Sequence, residues 1–305
     1  MGKSRIQKFE PISIGEVAAP PFVYLPKPEE IFTARAERLR ALAKDHGLAP
    51  YLTFLADLCE TQARIQQELP ELEWPSTDAV ARALAFGMPP LNRGDFRFDD
   101  SFAEAFSRLI SAWDGIAMPD SARLALRRLQ NADRAARQAM VRNVLENTIP
   151  ADAMAEHAFL AAGLQVHFVR SAAKLDASRI KPHGEGVCPV CGSSPVASLI
   201  VGFIGAHGTR FCACPLCGTL WNYVRIKCTL CGGTKGIAYH GLEGDAGLVK
   251  AETCDTCRGY VKILYQHKNP ALDPLADDVA SLGLDLLLRD AGYHRGAVNP
   301  FLFGY

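Results

Sequence analysis

Apolar residues in the first half of the chain recur at helical spacing. Ile31, Leu39, Leu42 and Ala43 fall on one stripe behind Pro28, which suits a helix start, and Glu29 and Glu30 place negative charge on the positive end of its dipole. Gly47 then stands as the C-terminal stop. Tyr51, Leu55, Leu58, Ile65 and Leu69 repeat at intervals of three, four and seven, the pattern of an amphipathic helix. Further helices are expected near 76–86, 101–113, 121–130, 132–148 and 151–178, with Ser76 and Asp120 as caps and Gly87 and Pro150 as punctuation. Alanine is dense and β-branched residues are few. Residues 1–180 therefore read as an all-α domain behind an irregular lead-in over 1–26, where Pro11, Pro20, Pro21 and Pro26 prevent a long helix.

Near Lys181 the pattern changes. Glycine and cysteine become frequent, apolar residues shift toward Val, Ile, Phe and Tyr, and 196–203 and 219–226 carry strand-like residues. After Pro270 it changes back: Asp277 and Asp278 precede Val279, Leu282, Leu286 and Leu287, a short helix, and 299–305 is too apolar for a purely solvated tail. The fold class is thus α+β, mainly α. An all-α N-terminal domain (1–180) is followed by two tandem small β modules of the rubredoxin or zinc-ribbon kind (183–227 and 228–268), then a C-terminal helix and apolar tail (269–305).

Composition narrows the function classes. A 305-residue chain that is 49% hydrophobic and 22% charged is an ordinary globular protein, which excludes wholesale disorder. Its 33 basic and 33 acidic residues cancel, so no polycationic surface drives phosphate binding. The longest mainly apolar run, 196–206, is about half of the roughly 20 residues a membrane helix needs. The charged N-terminus meets prolines without an apolar segment, unlike a secretory signal. A cytoplasmic location is expected, where thiols stay reduced.

Cysteine carries the chemistry. Of ten, nine lie between Cys188 and Cys257, and eight form CxxC pairs: Cys188/Cys191, Cys214/Cys217, Cys228/Cys231 and Cys254/Cys257. The first two pairs and the last two are related by a constant offset of 40 residues, the mark of an internal duplication. Two residues between ligands let both sulfurs face one ion, and glycine after the second cysteine, as at Gly192, Gly218 and Gly232, permits the positive φ of such a knuckle. The 22 residues between knuckles have room for a hairpin, so each repeat should close its own tetrahedral four-cysteine site. Zinc and iron both suit four thiolates, and a fully ligated site has no vacancy for Lewis-acid catalysis.

The other candidates are weaker. Cys59 reads as a small buried thiol, and Cys212, whose repeat counterpart is Glu252, as a buried bystander. His46, His157 and His167 have no ligand partners in sequence, and eight cysteines make His183, His207, His240 and His267 unnecessary. Between His183 and Lys268 stand eight basic and five acidic residues; Arg210, Arg225, Lys227, Lys235, Arg258 and Lys262 are expected partly to balance thiolate charge.

Three strings carry a family resemblance: Cys188-Pro-Val-Cys191-Gly-Ser-Ser-Pro-Val-Ala-Ser, Trp221-Asn-Tyr-Val-Arg-Ile-Lys-Cys228, and Ala251-Glu-Thr-Cys-Asp-Thr-Cys257. With Ala276-Asp-Asp-Val-Ala-Ser281, Gly292-Tyr-His-Arg and Asn299-Pro-Phe-Leu-Phe303, they resemble the FdhE family of formate dehydrogenase accessory proteins over roughly 185–303; in the helical half Tyr51-Leu-Thr-Phe-Leu-Ala is the best short match. All eight paired cysteines fall on the family's four pairs, and Cys212 departs from it. The resemblance implies a cytoplasmic bacterial protein, not an enzyme, needed for respiratory formate dehydrogenase activity. It would bind that enzyme's selenocysteine- and molybdenum-containing catalytic subunit before export, and its two metal ions would be rubredoxin-type iron, with zinc as the alternative. Because the specific motifs concentrate in the second half, Arg225, Arg258, Lys262, Asp277 and Asp278 are the candidate partner-binding residues. A homo-oligomer stays open.

Two rivals stand beside this reading. A zinc-ribbon nucleic-acid binder would use Trp221, Tyr223, Arg225 and Lys227, although the neutral overall charge counts against it. An iron redox protein would pass electrons through the same cysteines, but four duplicated pairs are not one thioredoxin-like active-site pair. If each metal module folds on its own, losing a cysteine of the first should spare the helical half.

Overall fold

Helix α1 (Pro28–Ala43) begins at the proline and turns Phe32, Ala36 and Leu39 inward. It stops four residues short of Gly47. Lys44 is extended, and Asp45 takes the left-handed turn at φ 57°, a conformation Asp reaches more readily than most residues. Helix α2 (Ala49–Glu68) lies against α1 and buries Leu52, Leu55, Leu58 and Ile65. The computed structural model describes residues 20–304 except Glu73 and Ala297, so most of the expected lead-in, including Pro11, lies outside the described residues.

Helices α3 (Thr77–Ala85), α4 (Asp100–Trp113), α5 (Asp120–Asn131) and α6 (Arg134–Glu146) follow near the expected positions. Ser76 caps α3, its Oγ accepting from the Ala79 N–H at 3.3 Å. Asp120 is not a cap. It is the first helical residue, behind Pro119. Helix α7 (Met154–Ala172) is the hub, buried on nearly every side, and ends six residues before the expected limit; Ala177–Arg179 is a separate 3₁₀ turn. At Gly163 it meets α4 so closely that a Cβ would lie 2.5 Å from Phe106 Cδ2, which is why a glycine sits inside a long helix.

Each repeat forms a three-stranded antiparallel unit: β2 (Ala197–Ile200), β3 (Arg210–Ala213) and β4 (Leu220–Asn222), then β5 (Ile237–His240), β6 (Val249–Cys254) and β7 (Gly259–Leu264). The repeats are not beads in series. β2 runs parallel to β7, with Ala197 opposite Lys262, and the two units merge into one sheet of order β1-β4-β3-β2-β7-β6-β5. The pairing covers an edge that each unit would otherwise expose. β1 (Val23–Tyr24) adds to β4 from the lead-in, and β8 (His294–Arg295) adds to β7 from the C-terminal segment.

That segment holds α8 (Ala276–Ala280) and α9 (Leu282–Asp290). The expected stripe through Leu286 and Leu287 faces solvent; Leu284, Asp285 and Leu288 face inward instead. Carboxylates tie the segment back to α1, where Arg38 grips Asp277 through Nη2 at 2.6 Å and Arg35 reaches Asp273 at 3.2 Å. The tail is buried at Phe301 and Leu302, and Tyr51 donates to the Phe301 carbonyl at 2.6 Å.

One core runs from the helices into the first repeat. It takes in Leu55, Phe106 and Phe168 together with Phe211, Trp221 and the four cysteines Cys188, Cys191, Cys214 and Cys217. A smaller cluster of Ala251, Tyr260, Leu284 and Leu288 joins the second repeat to α9. The first repeat is therefore packed as part of the helical body, and the expected independence of the two does not fit this core.

Candidate metal centres

The knuckles are built by local hydrogen bonds. The Gly192 N–H donates to the Cys188 carbonyl at 2.8 Å and the Cys188 N–H to the Ser193 carbonyl at 2.8 Å; Gly232, Cys228 and Gly233 repeat the pattern at 3.0 and 2.8 Å. Gly192, Gly218 and Gly232 all have φ between 71° and 78°, as the knuckle requires, and the fourth knuckle puts Arg258 there at φ 57°. The hairpins β2–β3 and β5–β6 then bring the second knuckle of each repeat back over the first, so that Cys214 follows β3 and Cys254 ends β6.

The eight sulfurs gather in two groups, Cys188/Cys191/Cys214/Cys217 and Cys228/Cys231/Cys254/Cys257, each with all four ligand atoms within 4.8 Å of one another. Sulfur separations are 3.6 Å (Cys188–Cys217) and 3.4 Å (Cys191–Cys214) in the first group, and 3.8 Å (Cys228–Cys257) and 3.7 Å (Cys231–Cys254) in the second. A tetrahedron of thiolates at roughly 2.3 Å from one ion has edges of about 3.8 Å, so both groups fit a four-coordinate zinc or iron ion. Disulfides would bring the sulfurs far closer.

The cysteines of each group are unequal in their tendency to ionise. Burial drives the Cys188 and Cys217 thiols well above their ordinary range, while at Cys191 burial is overcome by hydrogen bonds with Cys188, Cys214, Cys217 and Ser193, which hold it well below. Four buried thiolates need a cation. In the second group, burial pushes Cys228 up to about 12, whereas at Cys254 burial is outweighed by the N–H groups of Cys257 and Thr256, which hold that thiol at about 7. Any ion bound there would be held by these cysteines alone and would supply cross-linking and, for iron, a one-electron couple.

Family models match almost all of the described chain: FdhE, N-terminal over 20–185, FdhE, central domain over 187–225, and FdhE, C-terminal domain over 226–302. The chain belongs to the FdhE family. It is 45% identical over 298 residues to the "Protein FdhE homolog" of Rhizobium meliloti, covering 97% of each, and 34% identical over 290 residues to "Protein FdhE" of Escherichia coli, covering 93% of this chain and 91% of that one. The crystal structure of the FdhE protein from Pseudomonas aeruginosa has the same fold, with a TM-score of 0.81 and 32% identity over 93% of this chain and 99% of that one. The helical body with a sheet carrying two four-cysteine groups is thus the FdhE fold, and the central and C-terminal family models each enclose one group. Among the described residues no helix is long and apolar enough to cross a membrane.

Within this FdhE fold the charged residues singled out from sequence fare unequally. Arg225 is exposed, and Arg258 is half-exposed, stacked over Tyr293 and donating to the Ala291 carbonyl at 2.9 Å. Lys262, Asp277 and Asp278 are buried. Lys262 lies against both Asp278 (3.1 Å) and Asp285, Arg295 bridges the same two carboxylates, and Asn299 donates to Asp278 at 2.8 Å. Burial of Asp278 is outweighed by Lys262 and Arg295, which hold its carboxyl below the ordinary range, whereas burial raises Asp277 despite Arg38. Lys262, Asp277 and Asp278 clamp the C-terminal segment onto the body and do not form a docking face.

Arg210 likewise does not balance thiolates. It is fully buried and bonded at 2.8 Å to the buried Glu252 of the other repeat. It also donates to Ser198 and to the carbonyls of Val224, Arg225 and Lys227, while Tyr239 donates to Glu252 at 2.9 Å. This inter-repeat pair escaped sequence reading. The available signal was that Arg210 and Glu252 sit where the opposite repeats have Lys250 and Cys212. Cys212 lies buried beside the pair, pushed up to about 11 by burial, and Cys59 is pushed up to about 12 in the helical core; both are buried thiols outside the two four-cysteine groups. His167 is buried among Trp74, Phe96 and Phe102, and burial lowers it to about 4, so it stays neutral.

Proposed function

We propose that this FdhE-family chain is a cytoplasmic accessory protein of respiratory formate dehydrogenase that binds the enzyme's catalytic subunit before export, with both four-cysteine groups metal-loaded. Its work is to hold a client and not to catalyse. Family membership supports the assignment to formate dehydrogenase, and the junction between the two repeats supports the place of contact. Val224 and Ile226 are each 62% exposed on either side of Arg225, in a run that leads directly into Cys228 of the surface-facing cluster. Exposed apolar side chains held rigidly by the Arg210 clamp beneath them are suited to bury against a partner.

The nucleic-acid alternative loses most of its residues to internal contacts. Trp221 is buried, and Tyr223 and Lys227 are both bonded to Glu185 at 2.9 and 2.8 Å, which leaves Arg225 as the exposed member of that set. The test is a pull-down of the formate dehydrogenase catalytic subunit with metal quantified on the same samples. Val224→Glu with Ile226→Glu should abolish most binding and leave metal content unchanged. Phe86→Glu, at an 82% exposed position on the helical half, should bind normally. If the Phe86 variant fails and the junction variant binds, the contact lies on the helical half.

A further inference from the structure

The two thiolate clusters are copies in sequence but not in surroundings. In the first, all four cysteines are buried; in the second, Cys228 and Cys254 are buried, Cys257 is partly open and Cys231 is exposed. The first cluster is strapped on both knuckles by the helical half. The Leu91 N–H donates to the Val190 carbonyl at 2.9 Å and the Arg93 N–H to the Cys191 carbonyl at 3.1 Å, while Gln165 of α7 donates to the Pro215 carbonyl at 2.7 Å. A Cβ on Gly218 would strike Ile31 at 2.6 Å. The second cluster is held by fewer contacts: Leu230 fits against Gly259 and Gly296, the Thr229 backbone packs on Gly186, and Tyr223 donates to the Cys228 carbonyl at 3.1 Å, but around Gly232 the nearest atoms are only the ends of the Lys227 and Glu185 side chains.

Two hydroxyls beside the first cluster also have no counterpart at the same repeat positions of the second. Cys191 Sγ lies 3.3 Å from Ser193 Oγ, and Cys217 Sγ lies 3.2 Å from Thr219 Oγ1, so each of these sulfurs has an O–H able to donate to a thiolate. Forty residues on, the equivalents of Ser193 and Thr219 are Gly233 and Gly259, which have no hydroxyl. Outer donors of this kind fix ligands and spread thiolate charge, and their loss weakens metal retention by about 10–100-fold.

We infer that the clusters hold metal on different terms: the first is a locked staple, and the second is an exchangeable site whose ion an external ligand reaches past Cys231. The inference concerns this chain's own cysteines and does not depend on which client the protein serves. The exchange is a ligand substitution. The sulfur of an incoming thiol would bond to the ion as the bond to Cys231 Sγ breaks, with the thiol's proton passing to Cys231, and release of the ion would repeat the exchange at Cys228, Cys254 and Cys257. The oxidation state of the metal does not change.

The experiment uses the full-length protein loaded with two zinc ions and treated with excess 4-(2-pyridylazo)resorcinol without denaturant. One equivalent should leave in a fast phase, and the second should leave at least about 10–100-fold more slowly or only after guanidinium is added. Iodoacetamide added during the fast phase, with labelled peptides mapped by mass spectrometry, should modify Cys231 and Cys257 first and spare Cys188, Cys191, Cys214 and Cys217. Cys231→Ser should remove the fast equivalent and keep the slow one. Release of both ions at one rate, retention of both until unfolding, or first labelling in the Cys188–Cys217 group would each overturn the inference.

Discussion

Replacing Cys191 by serine should unfold far more than the first ribbon. Binding of a structural zinc ion supplies about 10 kcal/mol or more of folding free energy in small modules, comparable to the roughly 5–15 kcal/mol total stability of a domain. In a ribbon standing alone that loss would stay local. Here Cys188, Cys191, Cys214 and Cys217 belong to the same core as α1, α4 and α7, and the Leu91, Arg93 and Gln165 straps end on their knuckles. Thermal melting followed by far-UV circular dichroism should therefore show helical signal lost together with the ribbon, at a markedly lower temperature than in the parent. Cys231→Ser should leave the helical transition close to the parent's, because Cys228, Cys231, Cys254 and Cys257 stand outside the core that the first cluster shares with the helices. A Cys191→Ser protein with an unchanged helical transition would mean that the helices do not rest on the first site.

The second large effect is expected at Arg210. Removing one partner of a buried ion pair typically costs about 3–5 kcal/mol, because the other charge is left without compensation. Arg210→Met should cost that much at neutral pH, read as a shift in urea midpoint, since Glu252 would keep only the Tyr239 hydroxyl. Burial already raises the Glu252 carboxyl above its ordinary range in spite of the arginine. An acid whose folded pKa is raised is penalised above that pKa, so the deficit should shrink as pH falls and Glu252 takes up a proton. Adding Glu252→Gln should recover a large part of the loss. A single variant within about 1 kcal/mol of the parent would show that the clamp contributes no more than a surface pair.

What is legible in the sequence divides along physical lines. Helix positions follow from local periodicity, and the eight ligands and their grouping follow from a fixed repeat offset; both are short-range signals. The parallel pairing of β2 with β7 brings residues 65 positions apart side by side, and no pattern within either strand announces it. Lys262, Asp277 and Asp278 read as surface residues because charged side chains usually are, yet each finds an opposite charge from a distant element that only the fold supplies. Leu286 and Leu287 mislead in the opposite sense: α9 covers the sheet with Leu284 and Leu288, and its carboxylate Asp285 turns inward to Lys262 and Arg295. The inequality of the metal sites is written in the repeat, as Ser193 against Gly233 and Thr219 against Gly259, but it acquires chemical meaning only with the sulfur–oxygen distances.

Two self-contained four-cysteine metal centres are the central feature of this FdhE-family chain. Metal analysis of anaerobically purified full-length protein, joined to X-ray absorption at the edge of the metal found, tests them most directly. The expected result is two ions per chain, each with four sulfur neighbours at roughly 2.3 Å, and sulfur-to-iron charge-transfer colour if the ions are iron. Fewer than two ions bound after reconstitution with excess metal, nitrogen or oxygen bonded to the metal, or disulfides linking the paired cysteines would contradict it.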